Sequence, residues 1–155
     1  MTSVEDLRAK HKTMFEAVAS IGNVHDYERY LKDQSKLRSL YVSTAQGGSS
    51  RVYGWNVRRV RTVETLVSTG RNFQDHYWRF RGYLSIDDAE GSEKLFDIQI
   101  EAIRAAYRAD PTMGGLCDTQ FNEQNAGQGG MQLEESEPVL FCDVLCHAVR
   151  YGAAT

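Results

Sequence analysis

The chain has 155 residues, 41% hydrophobic, 25% charged and 10% aromatic, the make-up of one folded domain that buries roughly 68–70% of its unfolded surface. It contains no apolar run long enough to cross a membrane, and the opening MTSVEDLRAKHK mixes charges where a signal peptide needs an apolar core. Three cysteines without a secretion signal suit a reducing cytosol, and a net charge of −3 argues against a protein whose main task is gripping nucleic acid.

The first predicted element is an amphipathic helix over residues 3–21. Val4, Leu7, Met14, Val18 and Ile21 follow helical spacing, with His11 as a packing residue in the remaining place on that face. Ser3 and Asp6 have capping-box spacing, and Gly22 is placed to stop the helix. A polar, tyrosine-rich link follows, with a short helix predicted near Asp33 to Tyr41 and a flexible loop at STAQGGSS.

Two strand-like runs then form a predicted hairpin over residues 53–86, turning at STGRN. In the second run His76, Trp78, Phe80, Leu84 and Ile86 alternate with Asp75, Tyr77, Arg79, Arg81 and Ser85. In the first, the apolar positions change parity between Val57 and Val60, which predicts a bulge. A hairpin of this length is expected to project from the body.

A second helix is predicted over residues 88–108, with Asp87 and Glu90 as a capping box and Phe96, Ile100, Ile103 and Tyr107 as its apolar stripe. Asp110-Pro111 ends it and Gly114-Gly115 turns the chain. Closing strands are expected over residues 117–151: Cys117 to Gln124, Met131 to Glu135, and a final strand from Val139 to Tyr151. The fold class is α+β, one domain of mostly antiparallel or mixed sheet with two main helices packed on it and the hairpin projecting.

The closing stretch EPVLFCDVLCHAVRYG gathers Cys142, Asp143, Cys146 and His147, all of them metal-ligand or nucleophile types. Its β-favouring residues imply extended backbone. On one strand the two sulfurs would lie about 13 Å apart, at ~3.3 Å per residue, too far to share a zinc ion at ~2.3 Å bonds. Buried cysteine also serves as a small hydrophobe. With no phosphate-binding glycine loop, no nucleophile elbow and scattered histidines, the expectation is no catalytic, metal or cofactor site.

The charge feature is a set of arginines on the hairpin: Arg58, Arg59, Arg61, Arg71, Arg79 and Arg81. Arg59 and Arg61 are expected to share a face, as are Arg79 and Arg81. Glu64 and Asp75 are the obvious acids nearby, too few to neutralise them. Such a stripe suits an external acidic partner, protein or phosphate; the alternative is a solvated polar face.

The element order, with LFDIQIEAIRAAYRAD, a GG turn and EESEPVLFCDVLCHAVRYG, resembles the tail terminator (tail-completion) proteins of long-tailed bacteriophages. The likeness runs over most of the chain and is strongest from Tyr83 to Gly152. Trp55 to Tyr83 and GNVHDYERY also look like a minor neck or tail protein of such phages. The resemblance implies a structural virion protein rather than an enzyme. Its subunits would form a hexameric ring at the tail–neck junction, assembled in the host cytoplasm. The ring would cap the tail tube protein, end tube polymerisation and meet a neck or head-completion protein. DNA would pass through the hole without sequence-specific binding. A ring needs a heterologous interface, for which Arg58, Arg59, Arg61, Arg79 and Arg81 against a neighbour's acidic turn at Glu134, Glu135 and Glu137 are the candidates. The loops at Ser43–Ser50 and Asn125–Gly130 are expected to order on meeting the tube or neck. Rival readings are a head-completion or stopper protein and a nucleic-acid-binding module stacking bases on Trp55, Tyr77 and Trp78; an enzyme stands last.

Overall fold

Ser3 caps the first helix as its spacing predicts. In the computed structural model, which describes residues 2–29, 34–44, 51–85, 91–117, 132–135, 139–141 and 144–154, the Asp6 amide donates to the Ser3 hydroxyl at 3.1 Å and the Ser3 amide to the Asp6 carboxylate at 3.0 Å. Helix α1 spans Val4–Glu16 and buries Leu7, His11, Met14 and Phe15. It stops short of the predicted Ile21. The Val18 amide turns back to the Phe15 carbonyl, and Ser20 takes a left-handed φ of 56°. The Gln99 side chain donates to the Ala19 carbonyl at 3.1 Å. That contact comes from a distant part of the chain, so local spacing does not announce it.

The remaining elements are β1 (Asn23–His25), α2 (Gln34–Tyr41), β2 (Val42–Ser43), β3 (Arg51–Ser68), β4 (Arg71–Ser85), α3 (Ser92–Ala109), β5 (Gln132–Glu135), β6 (Val139–Phe141) and β7 (Val144–Ala154). β1 lies inside the stretch expected to be a plain link and runs parallel to β3, with Val24 opposite Trp55. The main sheet order is β1-β3-β4-β7-β5, with β2 beside β3 and β6 beside β7. All described pairings except β1–β3 are antiparallel. The fold is therefore an α+β domain with α1 and α3 packed on one face of a mixed sheet.

β3 and β4 pair from Tyr53 opposite Leu84 to Ser68 opposite Arg71, and the register shifts between Arg59 and Arg61. Val60 is thus the extra residue of a bulge, where the parity change placed it. β7 runs beside β4 from Asp75 to Ser85, so most of the hairpin is also the middle of the sheet. Ile86 lies outside the described residues.

Tyr53, Trp55, Val57, Trp78, Phe80 and Leu84 turn one face of this pair toward the helices, where Phe15, Phe96, Ile100, Ile103 and Tyr107 complete the core. Full burial of a side chain such as Phe15, Phe80 or Phe96 contributes about 1.5–3 kcal/mol. Gly82 permits the close approach of α3: a Cβ there would stand 2.7 Å from Phe96 Cζ and 2.8 Å from Trp55 Cη2. On the opposite face α2 lays Tyr41 against Val52 and Tyr83.

α3 begins at Ser92 with Gly91 as its N-cap and no side-chain cap bond; Asp87 and Glu90, the predicted capping box, lie outside the described residues. Its predicted stripe is buried and Asp110 is its C-cap. Of the predicted strand Cys117 to Gln124 only Cys117 is described, and it sits in a bend after the Gly114–Gly115 turn. The single closing strand expected from Val139 to Tyr151 is in fact two. β6 doubles back on β7, with Val139 opposite Cys146 and Phe141 opposite Val144. Cys142 and Asp143 stand between them, outside the described residues. The backbone is extended as expected, but a separation counted along one straight strand does not apply to a chain that reverses. Among the described residues no helix is long and apolar enough to cross a membrane.

Candidate functional site: the arginine face of the hairpin

Cross-strand pairing decides which arginines meet. Arg58 stands directly opposite Arg79, and Arg81 opposite Asn56. These positions alternate with the core residues, so they occupy the face turned away from α1 and α3. The bulge separates the other two. Arg59 falls opposite Trp78 on the helix-bearing side, whereas Arg61 falls opposite Tyr77 on the arginine side. The expectation that Arg59 and Arg61 share a face fails because the extra residue between them inverts the alternation. Arg61 instead lays its guanidinium over the Tyr77 ring at 4.3 Å.

Like charges directly opposite one another destabilise a strand pair, so the Arg58–Arg79 pair needs a counter-charge. Glu28 supplies it from the link after β1. Its Oε2 accepts from Arg58 Nη1 at 2.5 Å and from Arg79 Nη2 at 3.0 Å, and its Oε1 accepts from Arg81 Nη1 at 2.8 Å. The glutamate side chain is only 9% exposed, against 43% for Arg58. Burial alone would raise the Glu28 carboxyl, but the hydrogen bond from Arg58 and the charges of Arg81, Arg79 and Arg58 outweigh it and hold it below the ordinary carboxylate value. Part of the stripe expected to need an outside acid therefore has one within its own chain. Glu28 is the residue that sequence reasoning missed. It lies 30 to 53 positions from its partners, and a lone acid in a polar link carries no local signal.

The candidate acids are placed differently from expectation. Glu134 and Glu135 belong to strand β5, opposite Arg150 and Val149 of β7, rather than to a turn. Glu137 lies outside the described residues. Arg79 is itself opposite Arg150, so one row of the sheet reads Arg58, Arg79, Arg150, Glu134.

At the bulge and beyond it, large apolar side chains are exposed: Val60, Val63, Phe73 and, at 72%, Leu66. Trp55 and Trp78, the proposed base-stacking groups, are fully buried in the core, which removes them from any stacking surface and leaves Tyr77.

His11 and Cys117 have packing roles. His11 lies between Trp78 and Phe80 with ring centroids at 4.6 and 5.1 Å, and its Nδ1 shares a hydrogen bond with the Tyr107 hydroxyl at 2.6 Å. Burial, helped by the charge of Arg8, pushes its pKa down to about 3. Cys117 is buried beside Met113, with its thiol pushed up to about 11 by burial and by Asp110. Cys146 and His147 are neighbours on β7, in register with Tyr83 and Gly82. Among the described residues no three His, Cys, Asp or Glu side chains form a metal-holding group. No protein-family model and no curated protein matches this chain.

Proposed function

We propose that this chain is a structural subunit of a phage virion. It assembles with copies of itself into a ring at the tail–neck junction, caps the tail tube, ends tube polymerisation and meets a neck protein on its other side. DNA passes through the opening without sequence-specific contacts. The reading rests on the resemblance stated above, and one structural observation supports it most. The sheet order sets β3 and the acidic strand β5 apart, with β4 and β7 between them. One copy can thus offer different patches to two neighbours, as a heterologous ring contact requires. The exposed apolar residues Val60, Val63, Leu66 and Phe73 at the hairpin end add contact surface of the kind assembly interfaces use.

Arg58, Arg79 and Arg81 share Glu28, so Arg61 is the cleaner probe of a contact between copies. Negative-stain microscopy of the pure protein should show rings, and adding it to polymerising tube subunits should shorten the tubes. The variants Arg61→Glu and Leu66→Asp should weaken ring formation while leaving the fold intact. Tubes of unchanged length in the presence of excess protein would refute the terminator role and favour a stopper or head-completion protein.

A further inference from the structure

The outer edge of β3 changes character near the bulge. Among the described residues β1 and β2 cover that edge only as far as Asn56, although β3 runs on to Ser68. Residues 59–66 are all exposed. A strand edge of this kind offers a row of backbone donors and acceptors to another strand. Thr62, Val63 and Thr65 are residues that strands favour, and no proline interrupts them. Cross-strand partners fix the two faces. Thr62, Glu64 and Leu66 stand opposite His76, Gln74 and Asn72, on the helix-bearing face with Arg59. Arg61, Val63 and Thr65 stand opposite Tyr77, Asp75 and Phe73, on the other face. Arg59 and Glu64 thus carry opposite charges on one face. Glu64 accepts a hydrogen bond from Asn72 Nδ2 at 2.5 Å, and among the described residues neither Glu64 nor Arg59 is in an ion pair.

We infer that two copies of this chain pair antiparallel along this edge, with Val63 opposite Val63 of the second copy, so that one sheet runs through both. Residues directly opposite on paired strands share a face, so a two-fold pair must centre on a residue and not between two. Centring on Glu64 sets like charges against each other. Centring on Thr62 puts Ser68, past the shifts at Val60 and Val67, opposite Asn56, which β1 already pairs. Centred on Val63, Thr62 meets Glu64, Arg61 meets Thr65 and, past the bulged Val60, Arg59 meets Leu66. Arg59 of each copy then stands diagonal to Glu64 of the other, about 7–8 Å away and within reach of long side chains. Its apolar stem covers Leu66, which is 72% exposed in the single chain. Both contacts occur twice by symmetry, and the same charges disfavour other registers and other strands. The pair is isologous and closes at two copies, unlike the head-to-tail contact of a ring. It covers the hairpin end of the free protein; where the ring reading holds, the pair parts before these residues meet a ring neighbour, the tube or the neck.

The test is sedimentation of the pure full chain over a concentration series, with cysteine variants to read the register and circular dichroism as the check on folding. The wild type should form dimers at concentrations on the order of 100 µM or below. Glu64→Arg should weaken the dimer tenfold or more, and Arg59→Glu/Glu64→Arg, which exchanges the two charges, should restore it. In a glutathione redox buffer Val63→Cys should link into disulfide dimers, because directly opposite strand residues stand about 4.5–5.5 Å apart, within the span of a disulfide. Thr65→Cys should not, since it stands about 13 Å along the strand from its own copy. The wild type, with its own three cysteines, sets the background. A chain that stays monomeric throughout the series overturns the inference. So does a dimer that ignores Glu64→Arg, or one that links no better at Val63 than at Thr65, since another surface would then be holding it. Rings seen by microscopy without a link at Val63 would sink this pairing and leave the proposed function standing.

Discussion

Acidifying the protein from pH 7 to pH 5 should destabilise it chiefly through His11. The ring is wholly buried between Trp78 and Phe80, and its folded pKa is about 3 against an ordinary value of 6.5. Between those values the unfolded chain holds a proton on His11 that the folded chain does not. Stability is therefore complete above pH 6.5 and falls as the pH drops through the window. At pH 5 the loss is about 2 kcal/mol, since the unfolded histidine is ~1.5 pH units into its titration and each unit is worth ~1.36 kcal/mol. His76, also lowered, mainly by burial, acts in the same direction. The carboxyls held low, on Asp6, Glu28 and Asp110, have ordinary values of 3.8 to 4.5 and contribute stability that is lost only further down. Urea unfolding at the two pH values should show the midpoint falling by about 1 M, for a slope of ~2 kcal/mol per M. His11→Gln, which cannot titrate but still reaches for the Tyr107 hydroxyl, should be weaker at pH 7 and keep only the part of the drop due to His76. A wild-type midpoint unchanged at pH 5, or a full drop retained in His11→Gln, would refute the reasoning.

Gly82→Ala places a Cβ within 2.8 Å of Phe96 and Trp55 ring atoms; the overpacking should cost about 1–3 kcal/mol, visible as a lower thermal midpoint, and an unchanged midpoint would show that α3 can back away freely. Glu28→Ala leaves Arg58 opposite Arg79 without their shared carboxylate. With the arginines 22–43% exposed, the loss lies between that of a surface and a buried pair, about 2 kcal/mol. Molar salt should narrow the gap to wild type in urea titrations. Tyr107→Phe removes the hydroxyl that meets His11 Nδ1 and should lower stability by about 1–3 kcal/mol, measured by the same titrations.

The helix face of the fold could be read from sequence because each element carries its own pattern. The α3 stripe Phe96, Ile100, Ile103 and Tyr107, and the β4 alternation of His76, Trp78, Phe80 and Leu84, are all buried as their periods require. Ser3 with Asp6 and Asp110 with its following proline set helix ends through neighbours along the chain. Distant contacts were opaque. Asn23–His25 is three residues long and becomes a strand by lying against β3, a pairing too short to leave a period. The reversal of β6 onto β7 reads in sequence as one β-favouring run, because both arms use the same residue types. Glu28 belongs with these. Its role exists only once the link after β1 crosses the hairpin, so the arginines looked undersupplied with acid.

The bulge links the legible part of the sequence to the site. Counting residues puts Arg59 and Arg61 on one face; counting cross-strand partners, Trp78 and Tyr77, puts them on opposite faces. Only the second count is physical, because faces are set by pairing. The argument extends to deletions. Removing Val60 leaves Arg59 and Arg61 paired as before and merely straightens the strand, so the fold should survive with a loss within about 1 kcal/mol. Removing Thr62, which lies opposite His76 in unbroken ladder, forces residues on one side of the gap to slip by one. Either Arg61 is driven toward the helix-bearing face or the turn beyond is rebuilt, and the loss should be clearly larger. Near-UV circular dichroism of Trp78 and Trp55, with urea midpoints for the two deletions, measures the difference. Equal losses would mean that Val60 is an ordinary ladder residue, and the division of arginines between the two faces would have to be redrawn.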